Sequence, residues 1–318
     1  MKQFIRKTRT TLAIVVLLFV SNKSIAQFDY MFTQYMFNEM FINPAYAGSK
    51  EAMSATLLHR QQWVNFPGRP VTTSFSLHGP LMNNKMGLGL SVLNERIGVL
   101  NHNLIYASYA YRVKTGEKGT LAFGLMAGIH NQVNKFNELK VNNDGSVDPQ
   151  FSNSASTIAP NFGTGIYYNT KTFFAGISIP RMVDDKVKFA TNGAVSVSSQ
   201  IDPSNFHYYF TIGNVFTLSP GLKLKGQAMV QAVQNAPVIY NLNANFLIKD
   251  LVWAGVSYRS GSSASAILGM QISPQFLVSY SYDYTLNAIQ NYSQGSHEIM
   301  LNYLFSFKGK KVVTPRYF

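Results

Sequence analysis

Six histidines and fourteen carboxylates are the groups in this chain that could hold a metal or move a proton. His59, His78, His102, His130, His207 and His297 form no His-x-x-x-His or His-Glu-x-x-His spacing, which would put two ligands on one helix face. His297 and Glu298 are adjacent in a predicted strand, where neighbours point to opposite faces. A serine hydrolase would need a nucleophile turn of the Gly-x-Ser-x-Gly kind, and the sequence has none. Asn143-Asp144-Gly145 with Asp148 lacks the carboxylate spacing and closing Glu of a calcium loop and reads as an exposed turn. Gly87-Leu88-Gly89 and Gly163-Thr164-Gly165 alternate within predicted strands, so they make room for packed lumen side chains rather than cradle phosphate. With no cysteine, disulfides, thiolate zinc sites, iron–sulfur clusters and cysteine nucleophiles are excluded. We expect no catalytic, cofactor-binding or metal-binding residues.

The elements that carry these residues are those of a membrane protein. Only 13% of the 318 residues are charged, against about 25% in a soluble domain, while 14% are aromatic and 46% hydrophobic. Residues 1–26 read as a secretory signal peptide: Lys2, Arg6, Lys7 and Arg9, an apolar run from Leu12 to Val20, then Ser24-Ile25-Ala26 before the cut. Cleavage would remove five bases, Lys23 included, and lower the net charge from +13 to +8, too diffuse to argue for nucleic acid. No later stretch approaches 18 uninterrupted apolar residues, which leaves a closed barrel as the way to live in a bilayer.

Period-2 alternation supports the barrel. Val238, Tyr240, Leu242, Ala244 and Phe246 share one face, and Asn241, Asn243 and Asn245 the other. Thr72, Ser74, Ser76 and His78 oppose Val71, Thr73, Phe75 and Leu77; Ser279, Ser281 and Asp283 oppose Val278, Tyr280, Tyr282 and Tyr284. Lys223 and Lys225 share a face with Gln227 and Gln231, so Lys223, Lys225, Gln227, Asn241, Asn243 and Asn245 are predicted to face the lumen. A soluble β-sandwich or β-helix would need polar outward faces where these are aromatic. We therefore expect an all-β fold, a transmembrane antiparallel barrel of about 14 strands over residues 52–307, with long connections at Asn131–Pro160 and Arg181–Asn205 and a tail at 308–318. Trp63 and Trp253, with the pairs Tyr167/Tyr168 and Tyr208/Tyr209, would suit interfacial girdles.

Residues 27–51 do not read as a strand, because their apolar residues are not spaced by two, and they are too apolar for a solvated tail. They are expected to pack at the barrel mouth, fill part of the lumen or dock a partner. "QYMFNEMFINPAYAGS" followed by "ATLLHRQQWVNFPGRPVTTSFSLHGPL" resembles the PorP/SprF family of type IX secretion outer-membrane proteins, and the resemblance continues through "VDPQFSNSA", "YSYDYTL", "GSHEIML" and the closing "PRYF".

The resemblance implies an outer-membrane barrel of Bacteroidetes-type bacteria, associated with type IX secretion and, in gliding species, with adhesin export. Its partners would be a secreted surface protein or adhesin bearing a type IX C-terminal sorting domain, other secretion components and outer-membrane lipid. Gln34, Tyr35, Phe37, Asn38, Asn43, Pro44, Tyr46 and Gly48 are the motif positions expected to anchor the N-terminal segment, with Asp283, His297 and Glu298 as matched positions without an assigned role. The leading expectation is a non-enzymatic barrel that binds an exported protein. A diffusion porin is the alternative, which needs only an open lumen, and a membrane-embedded hydrolase ranks last.

Overall fold

The computed structural model describes residues 30–50, 52–138, 154–189 and 195–305. The signal peptide, Gln27–Asp29, the Asn143–Asp148 stretch, most of "VDPQFSNSA" and the C-terminal tail with "PRYF" lie outside the described residues.

Strands form where the sequence alternates. In chain order they are β1 (Met53–Gln61), β2 (Val71–Leu81), β3 (Met86–Ile97), β4 (Leu100–Thr115), β5 (Gly119–Asn134), β6 (Ala155–Asn169), β7 (Phe173–Ile179), β8 (Val183–Phe189), β9 (Val195–Ile201), β10 (Tyr208–Ser219), β11 (Leu222–Ala232), β12 (Ile239–Ile248), β13 (Val252–Arg259), β14 (Ser263–Ser273), β15 (Phe276–Thr285) and β16 (Ser296–Phe305). All but β8 and β9 join one closed barrel of 14 antiparallel strands, sealed where β1 meets β16 with Met53 opposite Phe305. Closure leaves no open sheet edge around the circuit, the condition for backbone inside a bilayer. No described helix is long and apolar enough to cross a membrane.

Two rims differ. The connections after β2, β4, β6, β10, β12 and β14 are two to four residues long and share a rim with the start of β1 and the end of β16. Asn83 and Asn84 turn one of them at positive φ, 54° and 67°. The opposite rim carries the longest connections, after β5 and β7. Short turns mark the periplasmic end of such barrels and long loops the exterior.

The long connections differ from expectation in content. β5 and β6 run 16 and 15 residues, past the nine to eleven that cross a bilayer, so pairing takes in both ends of Asn131–Pro160, to Asn134 and from Ala155. Within Arg181–Asn205 the chain forms the separate two-stranded sheet β8–β9. Cross-strand hydrogen bonding continues in water wherever registers match, and loop-like composition does not stop it.

The alternation sorts side chains as bilayer and lumen require. On β12, Asn241, Asn243 and Asn245 are buried inside while Leu242 and Phe246 are exposed outside. On β5, Phe123, Leu125 and Ile129 face out and Ala122, Met126 and His130 face in. Leu268 sits at the middle of β14 with 61% of its surface exposed. Leu268→Arg should place a charge against acyl chains near mid-bilayer and cost about 2–4 kcal/mol, checked by urea unfolding of the barrel in lipid vesicles.

Three aromatic assignments are corrected by the inward face. Trp253 is buried against Phe37, and Tyr167 and Tyr209 are buried as well, so these three line the lumen instead of a girdle. Tyr208 is exposed and suits the outer surface. The sign of the strand's alternation decides between girdle and lumen, and an aromatic flanked by aromatics hides that sign.

Candidate functional site

Residues 30–50 occupy the lumen. They contain three short 3-10 turns, Tyr35–Phe37, Glu39–Phe41 and Pro44–Tyr46, and nearly every side chain from Phe32 to Ser49 is buried. Asn43 caps the third turn, accepting from the Ala45 N–H at 2.9 Å, with Pro44 at its first position, where a missing N–H costs nothing. A segment this short would not hold its turns alone; the lumen wall holds them.

The segment threads the barrel from rim to rim. At one end Tyr30 lies 5.9 Å from the Arg181 guanidinium, beyond the long-loop end of β7. At the other, Gly48 stands among Gly79, Pro80 and Gly87 at the short-turn ends of β2 and β3. Gly48 has φ +72°, and an added Cβ would lie 2.9 Å from the Gly87 Cα, so only glycine fits there. Its N–H donates to His78 Nδ1 at 3.2 Å.

Three buried charges latch the upper end. Arg60 of β1 reaches Asp283 of β15 at 2.6 Å and Glu298 of β16 at 3.1 Å. Each carboxylate then accepts from the segment: Thr33 Oγ1 donates to Asp283 at 2.7 Å, and the Thr33 and Gln34 N–H groups donate to Glu298 at 2.9 and 2.8 Å. Arg60 also donates to Thr33 Oγ1 at 2.9 Å, and Gln34 is bonded to Ser279 and the Glu298 carbonyl. Buried charge is tolerated only when paired and fully hydrogen-bonded, and here the N-terminal segment supplies part of the pairing.

At and below the latch the lumen polar stripe meets the segment residue by residue. Arg259 donates to the Phe32 carbonyl at 2.8 Å and to Asn241 at 2.7 Å; Asn243 donates to the Tyr35 hydroxyl at 2.9 Å. Lys225 donates to the Met36 carbonyl at 3.0 Å, Gln227 to Glu39 at 2.9 Å, and Ser76 to Asn38 at 2.7 Å. Asn43 donates to the Ile166 carbonyl at 3.0 Å, and Ser178 to the Ile42 carbonyl at 2.7 Å. Apolar contact fills the rest, with Phe37 edge-on to Trp253 at 5.4 Å and Tyr46 edge-on to Tyr167 at 5.5 Å.

The lumen glycines complete the fit. A Cβ on Gly124 would fall on Ala45 and the Pro44 carbonyl carbon, one on Gly87 on the Ala47 carbonyl, one on Gly89 on the Met40 side chain, and one on Gly165 on the Asn43 side chain. These positions are bare because the segment's own atoms stand there.

The motif positions Gln34, Tyr35, Phe37, Asn38, Asn43, Pro44, Tyr46 and Gly48 thus all sit in the lumen, where Asp283 and Glu298 meet the first of them. His297 does not join them: it lies on the outer face beside Tyr280, 2.6 Å from its hydroxyl, and Tyr282. Of the polar stripe, Asn245 is fully buried inside, and Lys223 sits at the short-turn rim, pairing with Asp250 at 2.7 Å. Sequence reading missed Arg60, Thr33, Arg259 and Ser178. Arg60 had one signal, a lone arginine on the face of β1 that also carries Ser54 and Thr56. Among the described residues no group of three histidine, aspartate or glutamate side chains could hold a metal ion.

No curated protein matches the chain by sequence. Among solved structures, the Acinetobacter baumannii outer membrane protein Omp33 is similar at 9% identity, covering 81% of this chain and 100% of its own, with a TM-score of 0.47. A Pseudomonas aeruginosa FadL homologue is similar at 11% identity, covering 86% and 94%, with a TM-score of 0.48. The P. putida toluene transporter TodX is similar at 8% identity, covering 87% and 95%, with a TM-score of 0.45. The sequence model described as "Type IX secretion system membrane protein PorP/SprF" matches residues 24–303, nearly the whole barrel and the segment inside it. This outer-membrane β-barrel of 14 strands therefore belongs to the PorP/SprF family of type IX secretion system membrane proteins.

Proposed function

We propose that the barrel is a non-enzymatic receptor of the type IX secretion and gliding machinery of a Bacteroidetes bacterium. It binds an exported surface protein or adhesin through that protein's C-terminal sorting domain and helps to export or anchor it beside other secretion components. The observation that carries this reading is the occupied lumen. A diffusion porin needs an open path, whereas here Thr33 to Ser49 fill the bore and engage buried groups on β1, β2, β11, β12, β15 and β16. A chain so occupied offers its rims and loops for binding, and proteins recognise extended partners through backbone pairing and side-chain pockets.

Deleting Gln34–Gly48 tests the reading. The expected result is a barrel that still reaches the outer membrane but no longer displays the partner on the cell surface. Normal display by that variant would sink it. Planar-bilayer recordings separate the porin alternative: the full chain should be nearly silent and the deletion variant should conduct steadily, while large steady conductance from the full chain favours the porin.

A further inference from the structure

The short-turn rim carries its charge unevenly. Three turns that follow one another around the barrel, β2–β3, β4–β5 and β6–β7, hold Lys85, then Lys114 and Lys118, then Lys171. All four lysines are exposed, and Glu117 is the one carboxylate beside them. Among the described residues no carboxylate forms a salt bridge with any of the four. The rest of the circuit differs. Pro220-Gly221 turns β10 into β11 and Pro274-Gln275 turns β14 into β15, both without charge. At the β12–β13 turn Asp250 pairs with Lys223 at 2.7 Å, which leaves Lys249 as the excess base there.

Neighbouring strands lie about 4.8 Å apart, so consecutive turns of this rim are about 10 Å apart and the three together span about 20 Å. That spacing is near the Debye length of about 8–10 Å, so the potentials of the lysines overlap. Anionic lipid does not account for the arrangement. Headgroup phosphates surround a barrel on all sides and attract bases wherever the rim meets them, whereas here the bases are gathered on one side. A one-sided arc is the pattern of a partner that approaches from one direction. Exposed turn tips present the ammonium groups as hydrated point charges without an apolar pocket, so the partner's contribution is carboxylates.

We propose that this lysine arc is a docking surface for the acidic face of a periplasmic protein. The arc steers the partner onto the rim from a distance, which acts on association rate and salt sensitivity more than on affinity. Short turns mark the periplasmic end, so the surface is open to that compartment and stands whichever exported protein the barrel binds.

The full chain in living cells provides the test, with a photo-crosslinking amino acid in place of Lys118 or of Lys171 and, as the control, of Gln275. The expected result is the same periplasmic protein crosslinked from both lysine positions and not from Gln275, through a stretch rich in aspartate and glutamate. That protein, once identified and purified, should bind the full chain in nanodiscs of neutral phosphatidylcholine, and more weakly as salt rises. Lys85→Glu, Lys118→Glu and Lys171→Glu together should weaken the binding about tenfold, the order expected for three lost exposed ion pairs. Changing the crosslinked carboxylates of the partner to lysine should restore it, a rescue that a merely structural effect of the variants would not give. The three sites are exposed turn positions, so the barrel itself is expected to assemble. Crosslinks to lipid or peptidoglycan alone, equal crosslinking from Gln275, or no crosslinked protein overturns the proposal. So does wild-type affinity in the triple variant.

Discussion

Arg60→Ala is expected to release the N-terminal segment from the lumen while leaving the barrel assembled. Arg60 pairs directly with both Asp283 and Glu298, and removing it leaves two buried carboxylates side by side without that partner. Breaking one partner of a buried pair costs about 3–5 kcal/mol, a large share of what holds a 20-residue segment in place. The barrel's own wall, built from fourteen paired strands, does not depend on that contact. The measurement is protease sensitivity of the segment in membrane vesicles, together with single-channel conductance. Cleavage near Thr33 and steady current are expected, and a closed, resistant barrel would rule out the latch. Arg60→Lys should give an intermediate result, because an ammonium keeps the charge but lacks the planar fork that serves both carboxylates and Thr33 at once.

Gly124→Val should have a comparable effect from the other direction, by occupying the segment's place instead of unfastening it. The new Cβ would coincide with Ala45 and the Pro44 carbonyl carbon, which are backbone and cannot swing aside. Overpacking of a filled interior costs about 1–3 kcal/mol when side chains can adjust, and backbone contact puts this case at the upper end or beyond. The expected readout is again current and protease access, now with the Arg60 latch intact. Gly226→Ala is the matched control: within 4 Å of its Cβ position only the Phe216 ring edge appears, at 4.0 Å, so no opening is expected. A Gly124→Val barrel as silent as the wild type would mean that the segment is not seated against β5.

Some of this was open to a reader of the sequence because its physical cause is local. Period-2 alternation separates lipid face from lumen whatever the neighbouring strand is, so Asn241, Asn243 and Asn245 could be assigned inward from β12 alone. The glycine pairs at Gly87/Gly89 and Gly163/Gly165 could be recognised as spacers for the same reason, but what they make room for could not. Trp253 and Tyr167 show the limit, since a girdle position and a lumen position differ only by one residue of register.

The composition and alternation by themselves determined that the chain is a charge-poor, aromatic-faced transmembrane barrel of about 14 strands with a non-strand segment before it, because burial against lipid acts on each side chain separately. The tertiary structure alone decided that this segment runs through the bore, and that Arg60, Asp283 and Glu298, separated by up to 238 positions, close on Thr33 and Gln34. Barrel closure brings β1 against β16, and no local pattern encodes which residues meet across a seam made by the two ends of the fold.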